Sequence, residues 1–169
     1  MENAVPALII AAILMLATAF LARSGFMGVD AIGQELRASE IRYGEQNRTG
    51  LTVTATSIDG SGANVTVTVR NDGQTPLADF GAMDVLVQYF SESGTRYDKW
   101  LPYTSGGLTA DTWTAGTFTD DVFEPGILNP GEGVEVLLRV NPVVGAGTTN
   151  RAVVGSERGV TVQTLFDGP

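Results

Sequence analysis

Residues 63–70 read Ala-Asn-Val-Thr-Val-Thr-Val-Arg, and this stretch decides the fold of the chain. Its three valines alternate with polar residues. Side chains of a β-strand point alternately to its two faces, so the stretch predicts a strand with one buried face. Residues 51–58 predict a preceding strand, and the Asp-Gly-Ser-Gly sequence at 59–62 predicts a tight connection. Together these residues predict a β-hairpin.

Further short strands follow along the chain, with turn residues between them. The pattern predicts strands at 83–90, which is apolar enough to be central, and at 96–103, 134–140, 153–154 and 160–166. Turns are predicted at 71–73, 91–94 and 156–159. Residues 106–116 are rich in Thr and Gly and show no regular pattern. Several short strands with turns between them predict a sandwich or a small barrel.

The N-terminal part has a helical pattern instead. Residues 4–22 are apolar except for Thr18, and an apolar stripe at spacings of three and four continues to Tyr43. The stripe predicts one helix of about 40 residues. The predicted class is therefore α+β, with a long N-terminal hydrophobic helix in a domain 1–48 and an all-β sandwich or barrel-like domain at 49–169.

Three interpretations of the apolar segment compete. A cleaved signal peptide needs a basic start and a small-residue cleavage site, but Glu2 lies at the start and residues 22–24 fit such a site poorly. A simple membrane anchor is the second interpretation. The third, which the continuing stripe favours, is the axial helix of a filament that rests in the membrane before assembly. It predicts a filament-core interface of Leu8, Ile9, Ile10, Ile13, Leu14, Leu16, Phe20, Leu21, Phe26, Val29, Ile32 and Leu36.

Composition disfavours catalysis and several kinds of partner. The chain has neither Cys nor His, which removes disulfides, thiolate metal sites and the usual general base. The net charge of −9 should repel nucleic acid and anionic lipid head groups. We therefore expect a non-enzyme without cofactor or metal. A secreted carboxylate-dependent hydrolase is disfavoured because no cleft constellation can be nominated.

Two sequons are candidate glycosylation sites. They begin at Asn47 and Asn64, and the alternation of residues 63–70 predicts that Asn64 points outward. Occupancy requires surface exposure and the appropriate secretion route. Chance occurrence is the competing explanation for both.

Other residues have a simple explanation beside a functional one. Oxygen ligands for Ca²⁺ are offered by Asp59, Asp120, Asp121 and Glu124, although solvated acidic loops explain them more simply. A sugar-binding platform is offered by Tyr97, Trp100, Tyr103 and Trp113, although core packing or subunit contacts explain them more simply. The Gly-Glu-Gly sequence at 131–133 is a turn and no phosphate loop, because no helix with a Lys follows it.

Taken in order, these segments resemble archaellins, the filament subunits of the archaeal flagellum, and the wider archaeal type IV pilin-like group. The resemblance rests on the helix at 4–43, the hairpin at 51–70 with the turn after it, the Leu-Asn-Pro-Gly-Glu-Gly-Val-Glu-Val run at 128–136, and the closing residues 151–160. Two features depart from the pattern of related pilins. No basic leader is visible before Met1, which is expected if a leader has already been removed and favours an accessory protein if Met1 is the initiator. Val5 stands where bacterial pilins have glutamate.

The resemblance implies a structural subunit of a helical extracellular filament for cell motility, assembled through the N-terminal helix. Its partners would be further copies of itself and the assembly machinery in the membrane, with transient membrane insertion before assembly. It also implies a cell-surface glycoprotein. The alternatives are an adhesion pilus subunit, or a membrane-anchored stator or accessory protein of the same machine.

Overall fold

The computed structural model describes residues 4–169, with side chains 4–7, 22, 24–32 and 38 outside the description. A helix α1 (Ala4–Arg48) precedes eight strands. A unit that ends at Tyr43 and a second unit, Gly44–Pro169, are each compact. The strands are β1 (Leu51–Ile58), β2 (Asn64–Asn71), β3 (Asp84–Phe90), β4 (Arg96–Leu101), β5 (Thr112–Thr119), β6 (Gly133–Arg139), β7 (Thr149–Gly155) and β8 (Thr161–Asp167), and a 3-10 turn spans Phe80–Ala82.

The strands form two antiparallel sheets of four strands each. Their orders are β1-β2-β6-β5, called the first sheet, and β4-β3-β7-β8, called the second sheet. The inward side chains of both sheets make one core, as in a β-sandwich. The valines of residues 63–70 are at most 1% exposed, which confirms the predicted alternation. Strand β3 has a neighbour on each side, as its continuous apolar character predicted.

The predicted α+β class is wrong, because the structure is mostly β. All core side chains of the cluster lie between Leu51 and Phe166, so the two sheets supply the core. Helix α1 is also not a long apolar helix, since charged residues recur in its sequence from Arg23 onward. In the part of the chain that the structure describes, no helix has the length and apolarity needed to cross a membrane.

One strand, β5, was not predicted from the sequence. The irregular Thr- and Gly-rich stretch contains the start of β5, which lies at the edge of the first sheet beside β6. Its pairing shifts between Ala115 and Phe118, so the apolar residues do not alternate regularly. Trp113 is nevertheless 0% exposed. The edge position and the bulge explain why a true strand lacks the expected periodicity.

The predicted turn at 71–73 connects distant parts of the β unit. The buried Asn71 amide donates from Nδ2 to the carbonyl oxygens of Thr75 at 2.8 Å and Leu128 at 2.9 Å, while its Oδ1 accepts from the Gly73 N–H at 3.0 Å. A Cβ on Gly73 would lie 2.3 Å from the backbone nitrogen of Gly50. Only glycine permits this close approach between the turn and the start of β1.

Candidate assembly surface

Helix α1 exposes an unusual amount of apolar side-chain surface. The predicted interface residues that the structure describes are all exposed, from 54% for Ile9 to 78% for Phe20. They are Leu8, Ile9, Ile10, Ile13, Leu14, Leu16, Phe20, Leu21 and Leu36. The side chains of Phe26, Val29 and Ile32 lie outside the described residues. Met15, at 73% exposed, is a further member that the sequence prediction omitted.

These side chains surround the helix instead of forming one stripe. Consecutive residues of an α-helix are about 100° apart, so Leu8, Ile9 and Ile10 already point in three directions. The polar exception, Thr18, donates its hydroxyl back to the carbonyl oxygens of Leu14 and Met15, at 3.0 Å and 2.9 Å. Its polar group is therefore satisfied within the helix. A helix that is apolar all round requires burial among other apolar groups.

The predicted sequon at Asn64 is engaged in a turn network. Asn64 is half-buried, and its Nδ2, the atom that a glycan would occupy, donates to Asp59 Oδ2 at 2.6 Å. Asp59 Oδ1 accepts from Ser61 Oγ at 2.8 Å and from the backbone N–H groups of Ala63 and Asn64 at 3.2 Å and 3.3 Å. Desolvation raises the pKa of Asp59, but these hydrogen bonds outweigh it and lower the pKa to about 2. The network leaves Asp59 as a structural acceptor instead of a cation ligand.

The sequon at Asn47 has a different environment. Asn47 is exposed in the last turn of α1, and the hydroxyl of the buried Thr49 donates to the carbonyl oxygen of Glu45 at 2.9 Å. Nearby, Arg158 pairs with Glu45 and also approaches Glu157 at 3.3 Å. The Asn47 side chain is thus the more accessible of the two candidate glycosylation positions.

The acidic residues between β5 and β6 do not assemble into a cation site. Among the described residues, no group of three or more acidic side chains has a metal-binding arrangement. Asp120 and Glu124 instead adopt left-handed backbone conformations, with φ of +60° and +48°. The loop between them exposes two apolar side chains, Val122 at 84% and Phe123 at 74%. Sequence reasoning about the carboxylates missed this apolar feature.

Two polar residues, Asn129 and Glu132, stabilise the same loop through hydrogen bonds. Asn129 donates from Nδ2 to the carbonyl oxygen of Phe123 at 2.5 Å, and its backbone N–H donates to Glu132 Oε2 at 2.9 Å. Glu132 is only 5% exposed. Desolvation raises the pKa of the Glu132 carboxyl, but hydrogen bonds from Asn129 and from the backbone of Phe123 and Val122 lower it below its usual value. The ionised carboxylate therefore organises the loop.

The four aromatic residues do not form one platform. Trp113 is fully buried, with Tyr103 4.9 Å from it between ring centroids, and Tyr97 stacks on the buried Tyr89 at 5.4 Å. Trp100 is 58% exposed. Its Nε1 donates to Asp84 at 2.9 Å across the outer face of the second sheet. Core packing accounts for Trp113, while Trp100 belongs to an exposed surface.

Comparison with known proteins finds similarity in structure but not in sequence. No family model and no curated protein sequence matches the chain. Among solved structures, the chain is similar to the archaellum periplasmic stator protein FlaG from Sulfolobus acidocaldarius, with a TM-score of 0.52 and 19% identity over 70% of this chain and 99% of that one. It is also similar to the archaeal flagellum of Methanospirillum hungatei strain JF1, with a TM-score of 0.50 and 16% identity over 99% of this chain and 93% of that one. The fold is that of archaellum proteins.

A third similar structure agrees with this result. The archaeal flagellin FlaB1 from Methanocaldococcus jannaschii matches with a TM-score of 0.50 and 13% identity, over 72% of this chain and 90% of that one. The archaellin resemblance predicted from the sequence is thereby confirmed at the level of the fold. Filament and stator proteins both appear among these neighbours, so the fold is common to both kinds of component.

Proposed function

We propose that the chain is a structural subunit of an archaellum-type helical filament, and that the exposed apolar side chains of α1 form its core contacts with other copies. The observation that carries this proposal is the exposure of nine apolar side chains around one helix, at 54% or more each. Contiguous apolar surface of this kind marks an interaction site. The β unit would face solvent, and its acidic composition keeps such a surface soluble.

The energy available from these side chains is large. Full burial of a Leu, Ile or Phe side chain contributes about 1.5–3 kcal/mol. Because more than half of each side chain remains exposed, covering one contributes about 1–2 kcal/mol. Nine of them supply on the order of 10 kcal/mol per subunit before the entropic cost of association. A repeated, non-closing contact of this strength gives an open helical polymer.

The share of this chain that each similar structure covers supports a filament role over a stator role. The match to the archaeal flagellum of Methanospirillum hungatei covers 99% of this chain, including the residues of α1, whereas the match to the stator protein covers 70%. The filament therefore offers a counterpart for the segment that carries the exposed apolar side chains. Motility, as opposed to adhesion, is inferred from these neighbours and completes the proposal.

The experiment is to place a charge within the apolar surface. Leu14→Asp removes a 60% exposed leucine and puts a carboxylate among apolar neighbours in the polymer. Burying an unpaired charge costs several kcal/mol, so the concentration needed for assembly should rise at least about 100-fold. Sedimentation of the full-length protein, followed by electron microscopy of the pellet, measures assembly. Circular dichroism of the same sample checks that the β unit is folded.

A matched control separates charge from position. Gln34→Asp adds the same charge to α1 at an exposed polar position, so it should assemble like the unmodified chain. The proposal would be contradicted if Leu14→Asp formed filaments at the concentration at which the unmodified chain assembles. Loss of assembly in Gln34→Asp as well would show that added negative charge alone prevents it, and the apolar contact would then not be the cause.

A stator role is the second candidate, and one observation favours it. The match to FlaG covers 99% of that chain and 70% of this one, so a known periplasmic stator structure is similar to this chain over nearly its whole length. A stator protein would remain with the membrane fraction when cells are sheared. A filament subunit would appear in the sheared, sedimentable fraction, which makes the fraction that contains the protein the deciding measurement.

A further inference from the structure

Two surfaces of the β unit remain outside the function proposed for α1. One is the knob, defined as Val122 and Phe123 on the loop between β5 and β6. These side chains are 84% and 74% exposed, although the loop beneath them is held by hydrogen bonds from Asn129 and to Glu132. Flanking residues in left-handed conformations are uncommon for non-glycine residues and persist where surrounding structure fixes them. The knob is therefore a fixed apolar projection.

The other surface is the groove, on the outer face of the second sheet. Its apolar lining is Leu86, Val87, Trp100 and Val153, its polar lining is Gln88, Asp98, Lys99 and Arg151, and its volume is about 370 Å³. The strand register aligns three of the apolar residues, because Leu86 of β3 lies opposite Trp100 of β4 and opposite Val153 of β7. Leu86 is 46% exposed and Trp100 58% exposed. The groove is an apolar row flanked by polar and charged side chains, with room for an aromatic side chain.

The charges around the two surfaces are complementary. Within the described residues, the carboxylates of Asp120, Asp121 and Glu124 beside the knob have no hydrogen-bond or ion-pair partner. Arg151 beside the groove is exposed and forms no ion pair with a described residue, although its charge helps to lower the pKa of the Asp98 carboxyl.

The other charges at the groove are already matched. Lys99 pairs with Asp111 at 2.7 Å, and Asp98 pairs with Arg96 at 3.1 Å. Arg151 is thus the groove cation without an ion pair of its own, although the nearby Asp98 carboxylate offsets part of its charge. In a chain of net charge −9, contact between copies needs such a match to avoid repulsion.

We infer that the knob of one copy inserts into the groove of the next copy, with an acidic residue of the knob loop meeting Arg151. The knob lies on the loop between two strands of the first sheet and the groove lies on the second sheet, so each copy offers both halves of the contact. Such a head-to-tail contact does not close on itself and propagates along a polymer. This inference rests on the proposed filament function and adds a specific contact between outer domains.

The absence of cysteine from the chain makes the contact directly testable. The double variant Val122→Cys with Leu86→Cys places one thiol on the knob and one in the groove. Oxidation of sedimented full-length filaments should give a ladder of covalent multimers, because every subunit joins two neighbours. The control pair, Val122→Cys with Thr54→Cys, puts the second thiol on the exposed face of β1 and should give no ladder. Arg151→Glu in the first double variant should reduce ladder formation about tenfold or more, since like charges would then face each other.

The outcomes distinguish this contact from the filament proposal. Sedimented filaments without a ladder would overturn the knob–groove contact and leave the filament role intact. If no filaments form, the same oxidation is carried out on concentrated, detergent-solubilised chain. A ladder from the solubilised chain supports the contact independently of the filament, and the absence of a ladder from that sample overturns the contact. Equal ladders from the control pair, or from the Arg151→Glu chain, would show nonspecific cross-linking and also overturn it.

Discussion

Replacing Asn71 by Asp tests whether one buried amide joins the loops at the end of the β unit. Asn71 is 0% exposed, and its Nδ2 lies 2.8 Å and 2.9 Å from two carbonyl oxygens. Asn71→Asp keeps the shape but replaces this donor by an oxygen. An ionised carboxylate would place acceptor against acceptor at both contacts, so the folded variant must hold a proton there.

The magnitude follows from the cost of supplying that proton. An Asp in the unfolded chain has a pKa of about 3.9, and each unit between that value and the solution pH costs about 1.36 kcal/mol. Protonation thus costs about 4 kcal/mol at pH 7 and about 1.5 kcal/mol at pH 5. The protonated oxygen donates only once, so a further loss of about 1 kcal/mol is independent of pH. The expected loss of unfolding free energy is about 5 kcal/mol at pH 7 and about 2.5 kcal/mol at pH 5.

The direction of the pH dependence is the informative part. The folded pKa of the new carboxyl lies above the unfolded pKa, so the folded state binds more protons. The variant is therefore most stable below about pH 4 and loses stability as the pH rises toward its folded pKa. Asn71→Ala is the matched control, because it loses the same donor without gaining an acid. Its loss should be about 2–4 kcal/mol at either pH.

Urea unfolding of the full-length chain, followed through the change in tryptophan fluorescence as the buried Trp113 becomes exposed, measures these differences. Unfolding midpoints are compared for the unmodified chain and both variants at pH 5 and pH 7 in a mild detergent. A loss for Asn71→Asp that is below about 1 kcal/mol, or equal at both pH values, would refute the reasoning. The Asn71 amide would then not bridge the two loops.

Three further outcomes are expected. The carboxylate of Asp59, whose pKa of about 2 lies below the usual 3.8, stabilises the fold above pH 4 and ceases to do so as pH falls through 2. Solvent screening at this turn limits the effect to about 1 kcal/mol, and acid titration of Asp59→Asn should lack this component. Gly73→Ala should lose about 2–3 kcal/mol in urea unfolding because its Cβ meets backbone, whereas Gly60→Ala, with nothing within 4 Å, should stay within about 0.5 kcal/mol. Peptide mass spectrometry of protein from its native secretion route should find Asn64 unmodified and any glycan at Asn47, and a glycan on Asn64 would disprove the Asp59 network.

The sequence predicted those parts of the fold that have a local signal. The valines of residues 63–70 predict β2 directly, because they occupy every second position, which is the period of a β-strand. Strand β5 was missed because an edge strand with a bulge satisfies its backbone without regular alternation. The predicted interface side chains of α1 that the structure describes are exposed, but their role as a filament interface stays a prediction. The fold class was missed because it depends on which elements supply the core.

Features that depend on pairing over long distances were beyond the sequence pattern. Asn71 reaches the carbonyl of Leu128, 57 residues away, and nothing in the turn sequence indicates that partner. The groove likewise requires the register that places Leu86 between Trp100 and Val153. The acidic residues at 120–124 suggested a cation site, whereas the two residues between them, Val122 and Phe123, form an exposed apolar surface.

The low sequence identity between this chain and the archaellum proteins that share its fold has a physical explanation that bears on function. A sandwich core needs inward apolar side chains at alternate positions, and many apolar residues meet that need, so 13–19% identity accompanies a shared fold. The core therefore carries little information about whether a protein builds a filament or anchors a stator. That information must lie in outward groups, which are free to vary without loss of the fold. In this chain the exposed apolar groups are the side chains of α1, the knob and the groove, so variants at these exposed positions test the proposed assembly without removing core side chains of the β unit.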